Sequence, residues 1–234
     1  MQKLMVIPFI FFPLFGMAEP FVAGLNAMDR EHYATAFRAW KKLADVGEAE
    51  AENNIGFLYE RGHGVKQSYA RAIQWYTKAA DQGLPEAKHN LGMLAFHGYG
   101  MEQDYLKARR QFTAAAELDL GIAAYMMGLI FYKGHGVAIN EPRAREWFLE
   151  AASNGSPEGQ FMASYMFQAG EGHPKQESEP LKAYIWATVA LKNGYAEAQS
   201  IIDFARIQFS DDLEVRAQEL ADRCLTSGYE KCPS

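Results

Sequence analysis

The chain has 234 residues, with 23 Lys and Arg against 29 Asp and Glu, a formal charge of −6 and no Lys- or Arg-rich block. That balance excludes a nucleic-acid backbone as the expected partner and leaves a neutral or a basic one open.

In chain order, the first element reads as an address. Lys3 precedes an apolar run from Leu4 to Phe15, too short to span a bilayer as a helix of roughly 20 residues. Pro8 and Pro13 also disfavour a continuous spanning helix. Gly16-Met17-Ala18 places small residues at the first and third positions that a signal peptidase accepts. Residues 1–18 are therefore predicted to be a signal peptide cleaved after Ala18, an uncleaved anchor being the alternative. Losing Lys3 takes the formal charge to −7. No cysteine near the cut offers a lipid anchor and no later segment is long enough for a span, so the mature chain is expected to be soluble and periplasmic or secreted.

Residues 19–48 read as an N-terminal half repeat or cap. Ala36, Trp40, Ala44 and Gly47 match only the second half of the unit that follows. Phe21, Val22, Leu25 and Met28 form a short apolar segment that either folds back over the first unit or leaves an edge open to self-association. Four copies of a 36-residue unit come next, at 49–84, 85–120, 121–156 and 157–195. Gly56, Gly92 and Gly128 keep the step. So do Gly62, Gly98 and Gly134; Gly64, Gly100 and Gly136; the pairs Ala79-Ala80, Ala115-Ala116 and Ala151-Ala152; and Tyr76, Phe112 and Phe148. In the last copy Ser164 replaces the helix glycine and Gly170 and Gly172 hold the turn. Ala183, Trp186, Ala190 and Gly194 then resume three residues late, after the longer loop 172–180.

Each unit reads as two helices. Ala51, Ile55, Leu58 and Tyr59 recur at three and four, as one helical face requires. Glycine in Arg61-Gly62-His63-Gly64 accepts the left-handed conformation that ends the helix. Tyr69, Ala72, Ile73, Tyr76 and Ala80 define the second helix, stopped by Gly83 with Pro85 beyond. Gly56 lets the second helix cross close to the first, and the paired alanines let the next unit stack at short range.

Residues 196–234 read as capping helices, Ile201 to Phe209 and Leu213 to Leu225, with Asp211 and Asp212 where a helix N-terminus favours an acceptor and negative charge. Cys224 and Cys232 suggest a disulfide in an oxidising compartment, the alternative being a redox or metal pair.

Asn90-Leu91-Gly92, Gly62-His63-Gly64-Val65, Lys107-Ala108 and the run from Arg71 to Gly83 resemble the Sel-1-like repeat, a relative of the tetratricopeptide repeat. The resemblance covers about residues 34 to 200, departing at Ala95, Gln111 and Ser164. It implies an all-α fold, a right-handed superhelical solenoid of helix-turn-helix repeats with a 36-residue period. The exported, cysteine-rich branch of that family carries paired cysteines at a separation like that of Cys224 and Cys232.

No nucleophile elbow, zinc helix, phosphate loop or dinucleotide fingerprint occurs, so neither an enzyme nor a cofactor is expected. His63, His135 and His173 each follow a turn glycine and read either as a metal ladder or as exposed, tolerant turn residues. Glu48, Glu50 and Glu52 read as a solvated helix start. Projected on tetratricopeptide geometry, the concave wall is lined by Asn53, His89, Tyr125 and Phe161; by Phe57, Met93, Leu129 and Tyr165; and by Glu60, Phe96, Tyr132 and Gln168. Eight of these twelve are aromatic or aliphatic, as a contact surface would be, although packing between neighbouring helices would also use them. The expected function is a non-catalytic periplasmic module that binds a protein or peptide in this groove as adaptor, regulator or immunity-type inhibitor. The resemblance also implies narrower or different readings: an immunity protein against a type VI secreted phospholipase toxin, or a penicillin-binding or beta-lactamase-like activity. Peptidoglycan or glycan binding fits the expected compartment and the aromatic groove.

Overall fold

A computed structural model describes residues 15–234, and their side chains from Glu19 onward; most of the expected signal peptide lies outside the described residues. Among them are twelve α-helices, one short 3-10 turn and no strand, with the helices of each repeat packed as a pair. They form two compact units, one ending at Gln82 and the other beginning at Gly83.

The first unit holds α1 (Phe15–Asp29), α2 (Tyr33–Ala44), α3 (Ala49–Arg61) and α4 (Tyr69–Asp81), each packed on the next. Helix α1 packs on α2 as the first half of a helix pair, where residues 19–48 are expected to hold only a half repeat or cap. Its buried face is small: a methyl group on Gly24 would lie 2.2 Å from Trp40 Nε1, and that nitrogen donates to the Phe21 carbonyl at 3.2 Å. Phe21 and Met28 are half-buried while Val22 and Leu25 stay exposed. The expected apolar fold-back is thus a helix with Gly24 and Ala27 buried, and at Gly24 the Trp40 indole leaves no room for a larger side chain.

The second unit holds α5 (Pro85–His97), α6 (Tyr105–Ala116), α7 (Gly121–Lys133), α8 (Glu141–Ser153), α9 (Pro157–Ala169), α10 (Pro180–Lys192), α11 (Gln199–Arg206) and α12 (Asp211–Thr226). Its core runs from Phe112 through Met127, Ile130, Phe148, Met166 and Phe167 to Trp186. Ser68, Asp104 and Asn140 cap α4, α6 and α8 by accepting the amides of Arg71, Lys107 and Arg143. On α12 the cap is Ser210, which accepts from the Leu213 amide; Asp211 and Asp212 lie one and two places inside, where their charge faces the helix N-terminus.

Two kinds of close approach explain the repeated glycines. A methyl group on Gly56, Gly92 or Gly128 would lie 2.6, 2.6 or 2.4 Å from the ring of Tyr76, Phe112 or Phe148 on the second helix of the same pair. In the last copy Ser164 takes the glycine's place and Ala187 the ring's, and both are fully buried. The second turn glycine presses backward onto the start of the preceding second helix. A methyl group on Gly64 would meet the Ala34 nitrogen at 2.6 Å, one on Gly136 the Tyr105 Cβ at 2.6 Å, and one on Gly172 the Glu141 carbonyl oxygen at 2.8 Å.

The C-terminal segment is tied to α10. Cys224 and Cys232 are joined, with Cα atoms 4.7 Å apart. Closing so short a loop contributes about 2 to 3 kcal/mol on the chain-entropy estimate. The buried Trp186 indole donates to the Pro233 carbonyl at 2.8 Å, and Lys182 Nζ to the Ser234 carbonyl at 2.6 Å. Asn193 Nδ2 donates to both Tyr229 Oη and the buried Gln160 Oε1.

Candidate partner-binding face

In the first unit, Asn53, Phe57 and Glu60 stand half-buried on α3. Glu60 is engaged inside its own repeat: the Tyr76 hydroxyl donates to Glu60 Oε2 at 2.8 Å, and Arg61 Nε lies 3.5 Å from Glu60 Oε1. Burial and then the Glu60 carboxylate push the Tyr76 phenol far above the usual range. Where the second-helix ring is Phe112 or Phe148, with no hydroxyl to satisfy, the Glu60 position is taken by Phe96 or Tyr132.

In the second unit the remaining nine residues stand on α5, α7 and α9, at equivalent places on the three first helices. Met93, Phe96, Tyr125, Leu129, Tyr132 and Phe161 are half-buried, with one side on the core. Phe96 meets Tyr105 at 5.2 Å and His135 at 5.1 Å, both edge-on. Tyr125 and Tyr132 rest on Phe148, and Phe161 stacks on Tyr195 at 4.6 Å. Tyr165 is exposed, its hydroxyl 3.5 Å from Glu171 Oε1. The Gln168 amide donates to Ser178 Oγ at 3.4 Å, while its Oε1 and Glu171 Oε2 are enclosed and accept no hydrogen bond.

Electrostatics single out the tyrosines. Burial, then hydrogen bonding with Tyr165 and Glu171, pushes the Tyr132 phenol well above its ordinary value. Burial, then Tyr195 and Glu158, raises Tyr125; burial, then Glu197 and Glu158, raises Tyr195. Tyr195, Glu158 and Glu171 were not among the expected site residues. Glu171 occupies the middle of Gly170-Glu171-Gly172, the turn position that holds His63, Tyr99 and His135 in the other copies, so its place was visible although its role was not.

His89 lies against the Phe112 ring at 5.4 Å with its Nδ1 enclosed and unpartnered. Burial holds the imidazole down at about 4, against an ordinary 6.5. Between those values the unfolded chain binds a proton that the folded chain refuses, so stability falls as pH drops from 6.5 to 4. Wild type is expected to lose about 2 kcal/mol more than His89→Phe over that interval, measured by urea unfolding at both pH values. Equal losses would mean that the folded chain accepts the proton.

The turn histidines are structural and are not the exposed residues expected. His63 stacks on Tyr33 at 4.2 Å and His135 on Tyr105 at 5.4 Å, each carried onto the preceding second helix by the backward-pressing glycine beside it. His173 Nδ1 accepts the amides of Lys175 and Glu177 and so shapes the long loop. Among the described residues no three His, Cys, Asp or Glu side chains gather as metal ligands, and no helix is long and apolar enough to cross a membrane.

Solved structures similar to this chain include Sel1-type proteins. A Sel1 repeat protein from Oxalobacter formigenes is 26% identical with a TM-score of 0.74, over 92% of each chain. The protein c5321, a protective antigen present in uropathogenic Escherichia coli strains with an SLR fold, is 28% identical with a TM-score of 0.69. That match covers 80% of this chain, which spans only 40% of the antigen's length. A sel1 repeat protein from Klebsiella pneumoniae subsp. pneumoniae, 22% identical with a TM-score of 0.54 over 81% of this chain and 93% of its own, shares the fold. No curated protein sequence matches. The Sel1 repeat itself matches residues 49–84, 85–120, 121–156 and 157–195, well over half the chain, and the chain belongs to the Sel1 repeat family.

Proposed function

We propose that the chain is a non-catalytic interaction module, working in the periplasm or outside the cell, that holds a protein or peptide against the side of α5, α7 and α9. Sel1 repeat proteins are generally interaction modules without catalytic activity, and the fold suggests the same role here. The observation that carries the reading is the run of half-buried apolar side chains at equivalent places on three successive first helices, Met93, Phe96, Tyr125, Leu129, Tyr132 and Phe161. A run of apolar side chains that stay partly open to solvent supports a contact surface.

Three features support export. The Cys224–Cys232 disulfide suits an oxidising compartment. The similar Escherichia coli protein is a protective antigen, which fits a place outside the cytoplasm. Pro20 lies inside α1, where a proline costs about 3 kcal/mol; cleavage after Ala18 would leave it in the first turn, where its missing N–H costs nothing.

The test is capture of a partner from an envelope extract by the tagged wild type and by a Tyr125→Ala, Leu129→Ala, Tyr132→Ala triple variant, with Tyr165→Ala as a variant at an exposed position. A stoichiometric partner should be lost, at least tenfold, by the triple variant while its unfolding stays cooperative. Full retention by a folded triple variant would remove this face from the function, and retention of cell-wall sacculi instead of protein would replace the partner class.

A further inference from the structure

We propose that the part of this face built by α7, α9 and the turn after α9 seats an arginine side chain of the partner polypeptide, with Glu171 and Gln168 accepting from the guanidinium and Tyr132 and Tyr165 flanking it. The inference rests on the proposed binding face and names the chemistry that would be recognised there.

The site has acceptors in excess. Glu171 lies with Tyr132 and Tyr165, and Glu158 with Tyr125 and Tyr195, which places two carboxylates among four tyrosines. Three carboxylates of this unit are paired with cations: Glu179 with Arg145 and Lys182, Asp222 with Lys192, and Glu214 with Arg206. Among the described residues Glu158 and Glu171 pair with none. The two enclosed atoms without a hydrogen bond, Gln168 Oε1 and Glu171 Oε2, can only accept. Tyr132 and Tyr165 already meet the Glu171 carboxylate, but neither carries charge, so what this corner lacks is a cation, and beside a carboxylate the favoured donor is charged.

Arginine fits better than other donors. Its planar fork can serve two acceptors at once and stack on an aromatic face. A hydroxyl or amide would leave the carboxylate's charge unpaired. The Tyr132 ring already accepts a cation, since Lys133 Nζ sits 4.8 Å over its centre, yet Lys133 forms no ion pair with Glu171. Entry has a local route. The exposed Tyr165 hydroxyl reaches Glu171 only at 3.5 Å and the Gln168 amide is held only at 3.4 Å, so an arriving guanidinium displaces two long hydrogen bonds.

The experiment is selection of a displayed library of random dodecapeptides on the full mature chain. It is followed by affinity measurements on the strongest binders, made with arginine and with citrulline, which has the same shape without the charge. Enriched peptides should carry arginine, citrulline at the key position should weaken binding tenfold or more, and Glu171→Gln should bring wild-type affinity to the citrulline level. The free Glu171→Gln protein should melt no lower than wild type, because the amide replaces an unpaired carboxylate. Binders lost by the Tyr125, Leu129, Tyr132 variant but indifferent to citrulline and to Glu171→Gln would overturn the arginine site and leave the binding face standing. A library in which no binder depends on that triple variant, or from which nothing is enriched, would overturn both.

Discussion

Serine at position 128 is expected to destabilise the unit from Gly83 onward by about 3 kcal/mol, read as a lower urea midpoint with an unchanged slope. The side chain it adds would begin 2.4 Å from both Cδ1 and Cε1 of Phe148, a fully buried ring with no room to retreat. Helix propensity favours serine over glycine by only about half a kcal/mol, so overpacking decides the sign. Phe148→Ala alone should cost about 4 kcal/mol through the cavity it leaves. The last repeat carries the complementary solution, Ser164 with Ala187 at the same two places. The Gly128→Ser, Phe148→Ala double variant should therefore be less damaged than the sum of the singles by at least about 2 kcal/mol. Strict additivity would show that the two places do not share one contact.

Trp186→Ala should remove about 4 kcal/mol from the same unit. The indole is buried, and its N–H holds the Pro233 carbonyl at 2.8 Å, so truncation opens a cavity and releases the tail beyond Cys232 together. Trp186→Phe separates the two effects: it restores most of the apolar volume and leaves one carbonyl unpaired, for a loss of about 1 to 2 kcal/mol. Near-UV circular dichroism and urea unfolding under oxidising conditions would measure both. Losses below about 1 kcal/mol in both variants would mean that the tail is not docked on α10.

The repeat was readable in the sequence because its constraints are steric and recur at one spacing. Gly56, Gly92 and Gly128 each face a ring twenty residues on, so one contact is written three times. Helix α1 escaped because residues 30–32 connect it to α2 with a shorter turn, which puts Gly24 only sixteen residues ahead of Trp40 and breaks the register. The turn histidines were misread for a different reason. His63 and His135 meet Tyr33 and Tyr105, residues of the preceding pair, and no local pattern says that a turn is pressed onto another helix. At the candidate face, residue type and place were legible, but the hydrogen bonds were not. The pairing of Tyr76 with Glu60 and the unpaired acceptors at Gln168 and Glu171 depend on side-chain reach across helices, which periodicity does not encode.

The backward-pressing turn glycine has a consequence for how such a chain can grow. Gly136 touches Tyr105 and Gly172 touches Glu141, so each joint in this unit is made between one helix pair and the pair just before it. Recombination that copies or removes one whole period, wherever in the repeat the break falls, regenerates a joint of the same kind. A slip of a few residues between the two turn glycines does not, whereas extra residues after the second one, as in the loop 172–180, leave the joint intact. Gene-level change is thereby channelled toward whole added units and longer outer loops, both of which extend or reshape a surface without rewriting the packing beneath it.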